Sequence, residues 1–379
     1  MRTRHVLPAL TQLTVASLAI QAGSAAADTP AGWISNNHTS AYVLSPGSVE
    51  FDGALLRVDD SIDVMNFRDD LLAANTRLVG DSGDLDGSRL NLRVGVWRGL
   101  ELFYQRQQQD LTLQIGPVSR ANIVELDQAL ETERTEYGLN WVIYEQATSD
   151  RNQPWRSLSL ELSRSESSSE DFGGQIDRVQ LTANTTITFN PPQQFAMNRL
   201  KDEGWQARLI ATLPLTRHTT LSAWGGYGQL ESSSGTDTDI EFASIANAFR
   251  QTFDADETLI KAGFALNWQR IARLPVQVGY EYIRINDRDL TAVTSNSTLL
   301  PSFLRGSNLN DGASNNQTAY ATVNWWVTPN VYVGASGRLF KSQFVGIIPH
   351  YNNPLSGSFS DTAYGYAEIK IGIRFDAGR

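Results

Sequence analysis

Apolar and polar side chains alternate along many short stretches of this chain, and residues 319–339 show the pattern most clearly. The odd positions from 319 to 327 are apolar, whereas Tyr320, Thr322 and Asn324 between them carry polar groups. Residues 328–330 are Thr-Pro-Asn, which favour a turn. A small or apolar face then resumes at the odd positions from 331 to 339. Alternation with a period of two over about ten residues predicts two antiparallel strands, each long enough to cross a membrane.

The same unit of strand, tight turn and strand recurs along most of the chain. The connections between candidate strands alternate strictly between short and long. Twelve strands are predicted, an even number that brings both ends of the chain to the same side. They span residues 49–58, 88–96, 100–107, 136–145, 155–165, 205–213, 219–230, 259–268, 276–284, 319–327, 331–339 and 363–375. Fourteen strands result if a weakly alternating hairpin at residues 179–190 also crosses the membrane.

Hydropathy distinguishes a membrane-bound arrangement from a soluble one. No apolar run approaches the roughly 20 residues that a membrane helix needs. Inside a bilayer, only helices and closed β-barrels satisfy all their backbone groups internally. The pattern therefore predicts an all-β fold, an up-and-down antiparallel barrel with short periplasmic turns and long extracellular loops. Two loop stretches, residues 119–129 with helical spacing and the amphipathic residues 242–253, are expected to restrict the mouth of the barrel or to cap its rim.

The chain begins like a secretory signal peptide. Basic residues among the first five precede a modest apolar stretch at residues 6–20, and three alanines at 25–27 form a small-residue cleavage site. We therefore predict three parts: a signal peptide at residues 1–27, a periplasmic segment at 28–47 and the barrel at 48–379.

Composition narrows the range of partners. Loss of the signal peptide removes two of the 31 basic side chains and none of the 41 acidic ones, which leaves a net charge of −12. Such an acidic protein is a poor partner for nucleic acid, whereas its loops suit an environment of lipopolysaccharide and divalent cations. The chain has no cysteine, which excludes disulfides, thiol chemistry and cysteine–metal sites.

The last strand carries a targeting feature. Isoleucines at 369, 371 and 373 and Phe375 alternate with charged residues and a glycine. This strand resembles the terminal strand by which Gram-negative outer-membrane β-barrels, porins among them, are recognised by the barrel assembly machinery. In that class an aromatic residue usually ends the chain, whereas four residues follow Phe375 here. The resemblance implies an outer-membrane location and a porin-like barrel of the broad class.

The parity of the strands separates a lipid-facing set from a lumen-facing set. Aromatic residues of the outward set lie near strand ends, where two girdles at the headgroup level are expected. The girdle candidates are Tyr137, Trp205, Tyr227, Trp268, Tyr282, Trp325 and Phe375. The charged lumen candidates are Arg89, Arg93, Glu101, Glu136, Glu161, Arg208, Lys261, Glu281, Arg338, Glu368, Lys370 and Arg374.

Mixed charge in the lumen has two interpretations. It favours a narrow, hydrated channel that selects small polar or charged solutes by a transverse field. The alternative is a salt-bridge network that fills a non-conducting barrel, which would act as a structural, adhesive or receptor protein through its extracellular loops. Twelve strands lie between the filled eight-stranded and the open sixteen-stranded barrels.

Catalysis is the least supported class. The histidines that remain after cleavage are His38, His218 and His350, and His218 lies about 13 Å along the strand from Ser222, too far for a nucleophile and its base. Carboxylate pairs such as Asp237 with Asp239, or the pair at 287 and 289, are interpreted as solvated loop charges rather than as calcium or protease sites. We therefore predict no catalytic residues, no metal and no cofactor, and keep a lipid- or peptide-cleaving enzyme as a second alternative.

Overall fold

The computed structural model describes the strands and most of the turns on the short-turn side. The described residues are 39–58, 82–114, 121–126, 130–146, 154–182, 185–239, 241, 251–292, 315–341 and 363–376. Among them, no helix has the length and apolar character that a membrane crossing requires. The strands in these residues are β1 (Val49–Val58), β2 (Ser82–Trp97), β3 (Leu100–Gln114), β4 (Ala121–Leu126), β5 (Leu130–Glu145), β6 (Ser157–Ser169), β7 (Phe172–Thr182), β8 (Thr185–Thr216), β9 (Thr219–Thr238), β10 (Gln251–Trp268), β11 (Val276–Ala292), β12 (Asn315–Trp326), β13 (Val331–Lys341) and β14 (Ala363–Phe375).

Twelve of these strands close into a barrel, as the alternation predicts. Going round the ring, the order is β1, β2, β3, β5, β6, β8, β9, β10, β11, β12, β13 and β14, and every pair is antiparallel. Closure occurs between the first and last strands, where Val49 lies opposite Phe375 and Arg57 lies opposite Ala367. A closed ring leaves no unpaired strand edge within it, so its backbone groups are satisfied without water.

The alternative of fourteen membrane-crossing strands is wrong. Residues 179–190 do form part of a hairpin, made by β7 and the first half of β8. That hairpin extends past the ring, because β8 pairs with β6 only from Lys201 onward and with β9 only from Phe195 onward, and β4 adds to the outer side of β7. The two additional strands therefore widen the sheet beyond the barrel and do not enter the ring.

Short connections join the barrel strands at one end. Arg98 and Gly99 link β2 to β3, and Arg217 and His218 link β8 to β9. Gly99 has a φ of 76°, in the left-handed region that glycine adopts without steric cost. This end corresponds to the predicted periplasmic side, and the longer connections lie at the other end.

At the long-loop end, several strands continue past their predicted limits. The helical spacing of residues 119–129 does not correspond to a helix in the described part of that stretch, because residues 121–126 form β4 and pair with β7. In the amphipathic stretch at 242–253, residues 242–250 lie outside the described part, and residues 251–253 begin β10. Backbone pairing continues wherever two strands remain adjacent, and it does not require the alternation of side chains that marks the membrane-spanning part.

The two faces of the barrel differ in character, as β14 illustrates. Ile369 and Ile371 are 73% and 45% exposed on the outer face, whereas Glu368 and Lys370, which alternate with them, are each 2% exposed. A water-soluble protein would bury the isoleucines and expose the charges. The inverted arrangement is that of a transmembrane barrel, whose apolar face contacts lipid.

Candidate functional site in the barrel interior

The charged residues of the interior fall on two walls. All twelve lumen candidates are buried or half-buried; Glu136, Lys261, Glu281 and Arg338 form the half-buried subset. We call the inner faces of β5, β6, β8, β9, β10 and β11 the paired wall, which carries Glu136, Glu161, Arg208, Lys261 and Glu281. We call the inner faces of β1, β2, β3, β13 and β14 the basic wall, which carries Arg89, Arg93, Glu101, Arg338, Glu368, Lys370 and Arg374.

The ion pair between Glu161 and Arg208 is the centre of the paired wall. The two residues lie directly opposite each other on β6 and β8. Arg208 Nε donates to Glu161 Oε1 and Arg208 Nη2 donates to Oε2, both at 2.9 Å. This two-pronged geometry is the strongest form of the interaction. Arg208 Nη1 also lies 3.7 Å from Glu281 Oε2, which accepts a hydrogen bond from Trp224 Nε1 at 3.2 Å.

A chain of hydrogen bonds extends the paired wall towards the long-loop end. Lys261 Nζ donates to Gln206 Oε1 at 2.5 Å. The amide nitrogen of Gln206 donates to Glu136 Oε1 at 2.9 Å and to Ser163 Oγ at 2.8 Å, and Ser163 Oγ donates to Glu136 at 3.0 Å. Each member of this chain has a partner, so the wall combines charge with satisfied hydrogen bonding.

The basic wall contains a second two-pronged pair near the short-turn end. Arg93 Nε donates to Glu101 Oε1 at 2.9 Å, and Arg93 Nη2 donates to Oε2 at 2.8 Å. The Nη1 atom of Arg93 also lies 3.9 Å from Glu50 Oε1. All three residues are almost completely buried.

Farther from the short-turn end, the charged groups of the basic wall are less completely paired. Arg89 Nη2 donates to Glu368 Oε1 at 2.8 Å, and Ser336 Oγ also donates to that oxygen. Among the described residues, Arg89 Nε, Glu368 Oε2 and Lys370 Nζ have no hydrogen-bond partner although they are buried. Arg374 Nη1, which lies nearer the short-turn end, is also buried without a hydrogen-bond partner in the described structure. Polar donors therefore remain available here, whereas the paired wall engages its arginine on both edges.

Glycines on the inner faces make room for large side chains. A Cβ at Gly372 would lie 2.1 Å from the Tyr332 ring, and one at Gly263 would lie 2.4 Å from the Trp224 ring. The two rings therefore occupy space that the glycines leave on the neighbouring strands.

A ten-residue stretch before β1 crosses the barrel at the short-turn end, and we call residues 39–48 the crossing segment. Gln277 of β11 donates from Nε2 to Thr39 Oγ1 at 2.9 Å. The Ala41 amide donates to Thr212 Oγ1 of β8 at 2.9 Å. Sequence analysis places these residues in a periplasmic segment and gives no sign of contact with the inner face; the apolar run at 41–44 is the one signal that could have indicated it.

Further along, the crossing segment reaches the opposite side of the ring. The Tyr42 ring packs on Trp155 with centroids 4.4 Å apart, and its hydroxyl donates to the Trp155 carbonyl at 2.6 Å. The Leu44 amide donates to Glu101 Oε2 of β3 at 2.9 Å, and the Gly47 amide donates to the Gly95 carbonyl of β2 at 2.7 Å. The segment thus runs from β11 to β2 and obstructs the interior at this end.

The girdle candidates lie on the outer face. Tyr137, Trp205, Tyr227, Trp268, Trp325 and Phe375 are between 37% and 56% exposed, and Tyr282 is half-buried. Trp205 and Tyr227 contact each other with ring centroids 5.7 Å apart. Exposed ion pairs, such as Arg106 Nη2 to Glu133 Oε2 at 2.7 Å, begin just beyond the aromatic row on the long-loop side. The apolar band therefore ends near these rings.

The candidate catalytic groups do not assemble. Ser222 is buried and its hydroxyl lies 2.9 Å from that of Thr212, whereas His218 lies in the turn after β8. Asp237 and Asp239 each accept a backbone amide hydrogen bond, from Thr238 and Gln194 respectively. His38, His350 and the side chains of the aspartates at 287 and 289 lie outside the described part. Within the described ranges, no group of three or more histidine, aspartate and glutamate side chains could hold a metal ion.

Comparison with known proteins adds structural neighbours only. No protein-family model and no curated protein sequence matches the chain. The translocator domain of autotransporter NalP from Neisseria meningitidis aligns with 87% of this chain and 88% of its own, at 10% identity and a TM-score of 0.46. The Ralstonia pickettii toluene transporter TbuX aligns with 92% and 93%, at 10% identity and a TM-score of 0.45. The Escherichia coli outer membrane protease OmpT aligns with 89% and 100%, at 10% identity and a TM-score of 0.36.

These neighbours are all outer-membrane β-barrels, and their names cover translocation, transport and proteolysis. Identities and TM-scores of this size carry no argument about function. What is established comes from the chain itself, which is a closed twelve-stranded barrel of the outer-membrane type with an apolar outer band and a charged interior.

Proposed function

We propose that the protein is a narrow outer-membrane channel for small polar or charged solutes, closed at its periplasmic end by the crossing segment. The proposal places the mature protein in the outer membrane of a Gram-negative bacterium, exported through the predicted signal peptide and inserted by the barrel assembly machinery. Lipid and lipopolysaccharide surround it there. The charged walls supply the hydrophilic lining that a solute pathway needs.

The observation that carries this proposal is how the crossing segment is held. Thr39, Ala41 and Leu44 bond to side chains of the walls, and only residues 47–48 next to β1 bond to the backbone of a barrel strand. Side-chain contacts of this kind can be released without breaking the strand ladder. Since each contributes about 0.5–1.5 kcal/mol and the segment also buries Ala41, Tyr42 and Leu44, a displaced conformation of the segment is a minor state of the wild type.

Single-channel conductance of the refolded mature protein in a planar bilayer tests the proposal. Tyr42→Ala removes the ring that packs on Trp155 and the hydroxyl that bonds to it, so we expect the open fraction to rise by at least tenfold, since about 1.4 kcal/mol corresponds to a factor of ten. Tyr144→Ala is the matched control, because Tyr144 is 56% exposed on the outer face of β5. It should leave the conductance unchanged.

The channel proposal fails if the wild type and both variants, each shown to be folded by circular dichroism and by heat-modifiable mobility, remain electrically silent. It also fails if the two tyrosine variants conduct equally. Deletion of residues 28–46 provides a second, independent opening of the same end, and it should give steps at least as large as those of Tyr42→Ala.

A second candidate is a non-conducting receptor or adhesin, and the sheet beyond the ring favours it. β8 has 32 residues, about three times what a membrane crossing needs, and its first half forms a platform with β7 and β4. Replacing residues 176–190 by a glycine–serine linker should abolish binding of the receptor's ligand or of the surface to which the adhesin attaches, while the barrel still folds. An enzymatic role is not proposed, because the described residues bring no nucleophile and base together.

A further inference from the structure

We propose that the basic wall binds a small carboxylate anion beside Lys370. The inference deepens the proposed function, since the anion would reach this position through the lumen. It names the chemical class of solute that the interior recognises, which the mixture of charges alone does not decide.

Lys370 is the first element of the argument. Its side chain is 2% exposed, and its ammonium has no hydrogen-bond partner among the described residues. The Tyr332 ring centroid lies 5.9 Å from Nζ, which is at the outer limit of a cation–π contact. A buried ammonium without a hydrogen-bonded acceptor is costly, so buried charges are normally paired. The carboxylates of Asp52 and Glu368 attract this ammonium electrostatically, but none bonds to it among the described residues, so Nζ can still donate to an anion.

The nearby carboxylates bond to other groups, each through one oxygen, and Glu368 Oε2 is buried without a hydrogen-bond partner among the described residues. Glu368 Oε1 accepts hydrogen bonds from Arg89 and Ser336. Asp52 Oδ1 accepts a hydrogen bond from Asn91 Nδ2 at 2.9 Å. Among the described residues, no carboxylate is therefore hydrogen-bonded to Lys370 Nζ.

Arg89 supplies a second donor at the same level. Ala54 of β1 lies opposite Arg89 on one side and opposite Lys370 on the other. The backbones of the two basic residues are therefore about 10 Å apart, twice the usual spacing of strands. Arg89 Nη2 donates a hydrogen bond to Glu368, whereas Arg89 Nε has no hydrogen-bond partner in the described structure. Two long side chains thus flank one methyl group, each with an N–H left to donate.

The shape of the wall sets the size of the ligand. The side chain of Ala54 is small, and Gly334 lies opposite Lys370 on β13. A Cβ at Gly334 would lie 2.9 Å from Lys370 Cε, so the lysine stem lies against this glycine. A carboxylate has two oxygens, of which one can accept from Lys370 Nζ and the other from Arg89 Nε. Lysine acts as a point charge that does not demand the paired geometry of arginine.

The test measures binding without requiring conduction. The mature protein folded in detergent is heated at a fixed temperature, and the half-time of unfolding is followed by gel mobility with and without sodium acetate. A ligand that binds only the folded state raises the equilibrium constant for folding by the factor 1 + [L]/Kd. Because only the ligand-free barrel unfolds, the unfolding rate falls by the same factor. At an acetate concentration of ten times the Kd, we therefore expect unfolding to be roughly tenfold slower. Sodium gluconate at equal concentration is the control for ionic strength and for a bulky carboxylate.

Substitutions locate the effect. Lys370→Met should abolish the acetate response and, because it removes an unpaired buried charge, should unfold no faster than the wild type in acetate-free buffer. Lys261→Met is the matched control on the paired wall, where the ammonium already bonds to Gln206; it should keep the full response. Arg89→Lys removes Nε and should weaken the response severalfold.

Two results would overturn the inference. One is an acetate response that is absent in the wild type or that survives Lys370→Met. The other concerns Asp52, a neighbouring carboxylate on β1: Asp52→Asn removes a negative charge near Lys370 and should strengthen the acetate response, so a response that is unchanged or weaker in this variant would overturn the inference. A silent barrel in the bilayer experiment, together with a normal acetate response, would refute the channel and leave the anion site standing.

Discussion

Glu161 with Arg208 and Glu368 with Arg89 are both buried ion pairs inside one barrel, and they differ in how fully the arginine is used. Glu161 and Arg208 lie directly opposite each other on adjacent strands, so the guanidinium meets both carboxylate oxygens. Arg89 and Glu368 lie on strands separated by β1, and they are offset by two positions along it. A guanidinium that reaches diagonally across an intervening strand presents one nitrogen and leaves another unused. The position of the two strands in the ring and their register therefore decide how fully each of these two arginines is used.

The largest expected effect comes from breaking the closed pair. Arg208→Met leaves Glu161 buried without its counter-charge, which should lower the free energy of unfolding by about 3–5 kcal/mol. Arg89→Met should lower the free energy of unfolding by only about 1–2 kcal/mol, because Ser336 still donates to Glu368. Urea unfolding in lipid vesicles, followed by tryptophan fluorescence, measures both values.

The control for these substitutions is an exposed pair on the outer face. Arg164 bonds to Glu166 at 3.1 Å and to Glu203 at 2.9 Å, and its side chain is 53% exposed. Arg164→Met should leave the free energy of unfolding nearly unchanged, because exposed ion pairs contribute little to stability. The double variant Arg208→Met with Glu161→Met should recover most of the loss, since two apolar groups replace the pair. Equal losses for Arg208→Met and Arg89→Met would refute the distinction between the walls.

An intermediate effect is expected at the glycines that shape each wall. An added methyl at Gly372 would meet the Tyr332 ring at 2.1 Å, and one at Gly226 would meet the Ala207 carbonyl and Arg208 Cγ at 2.7 Å. Overpacking of this kind costs about 1–3 kcal/mol. Gly372→Ala and Gly226→Ala should each lower stability by that amount in the same urea experiment.

Gly337→Ala is the control, because a Cβ there would meet nothing within 4 Å; it should be neutral or slightly stabilising. If the clash at Gly372 is with the ring, then Tyr332→Leu should reduce the cost of Gly372→Ala, and the two effects should not add. Strict additivity would show that the tyrosine moves aside freely and does not shape the wall.

The sequence was sufficient for the parts of the molecule that repeat. A period of two assigns Glu368 and Lys370 to one face of β14 and Ile369 and Ile371 to the other, and pairing of β1 with β14 closes the ring that an even strand count implies. The strand segments at the long-loop end are not predicted from the sequence, because apolar and polar side chains do not alternate there. Backbone pairing nevertheless continues through them. Periodicity on one strand also carries no register between strands, and register determines which charged side chains meet.

The crossing segment could not be predicted for a related reason. It is not a strand, and its contacts to Thr212, Glu101 and Gln277 join residues that lie far apart in the sequence. Each of those partners has the appearance of an ordinary polar lumen position. Only the three-dimensional arrangement shows that their acceptors and donors converge on one stretch of backbone at the short-turn end.

The smallest expected effect gives the sharpest contrast, since it differs in sign between the walls. Lys261→Met removes a hydrogen bond to Gln206 and should lower the free energy of unfolding by about 1 kcal/mol. Lys370→Met removes an ammonium without a bonded partner in the described structure, and in carboxylate-free buffer it should raise stability by about the same amount, because the desolvation cost disappears and no bond is lost. Both lysines are replaced by the same side chain in the same barrel, so differences in helix or strand propensity and in hydrophobicity largely cancel. A loss of stability in both variants would mean that Lys370 is bonded as firmly as Lys261, and the basic wall would then be as closed as the paired wall.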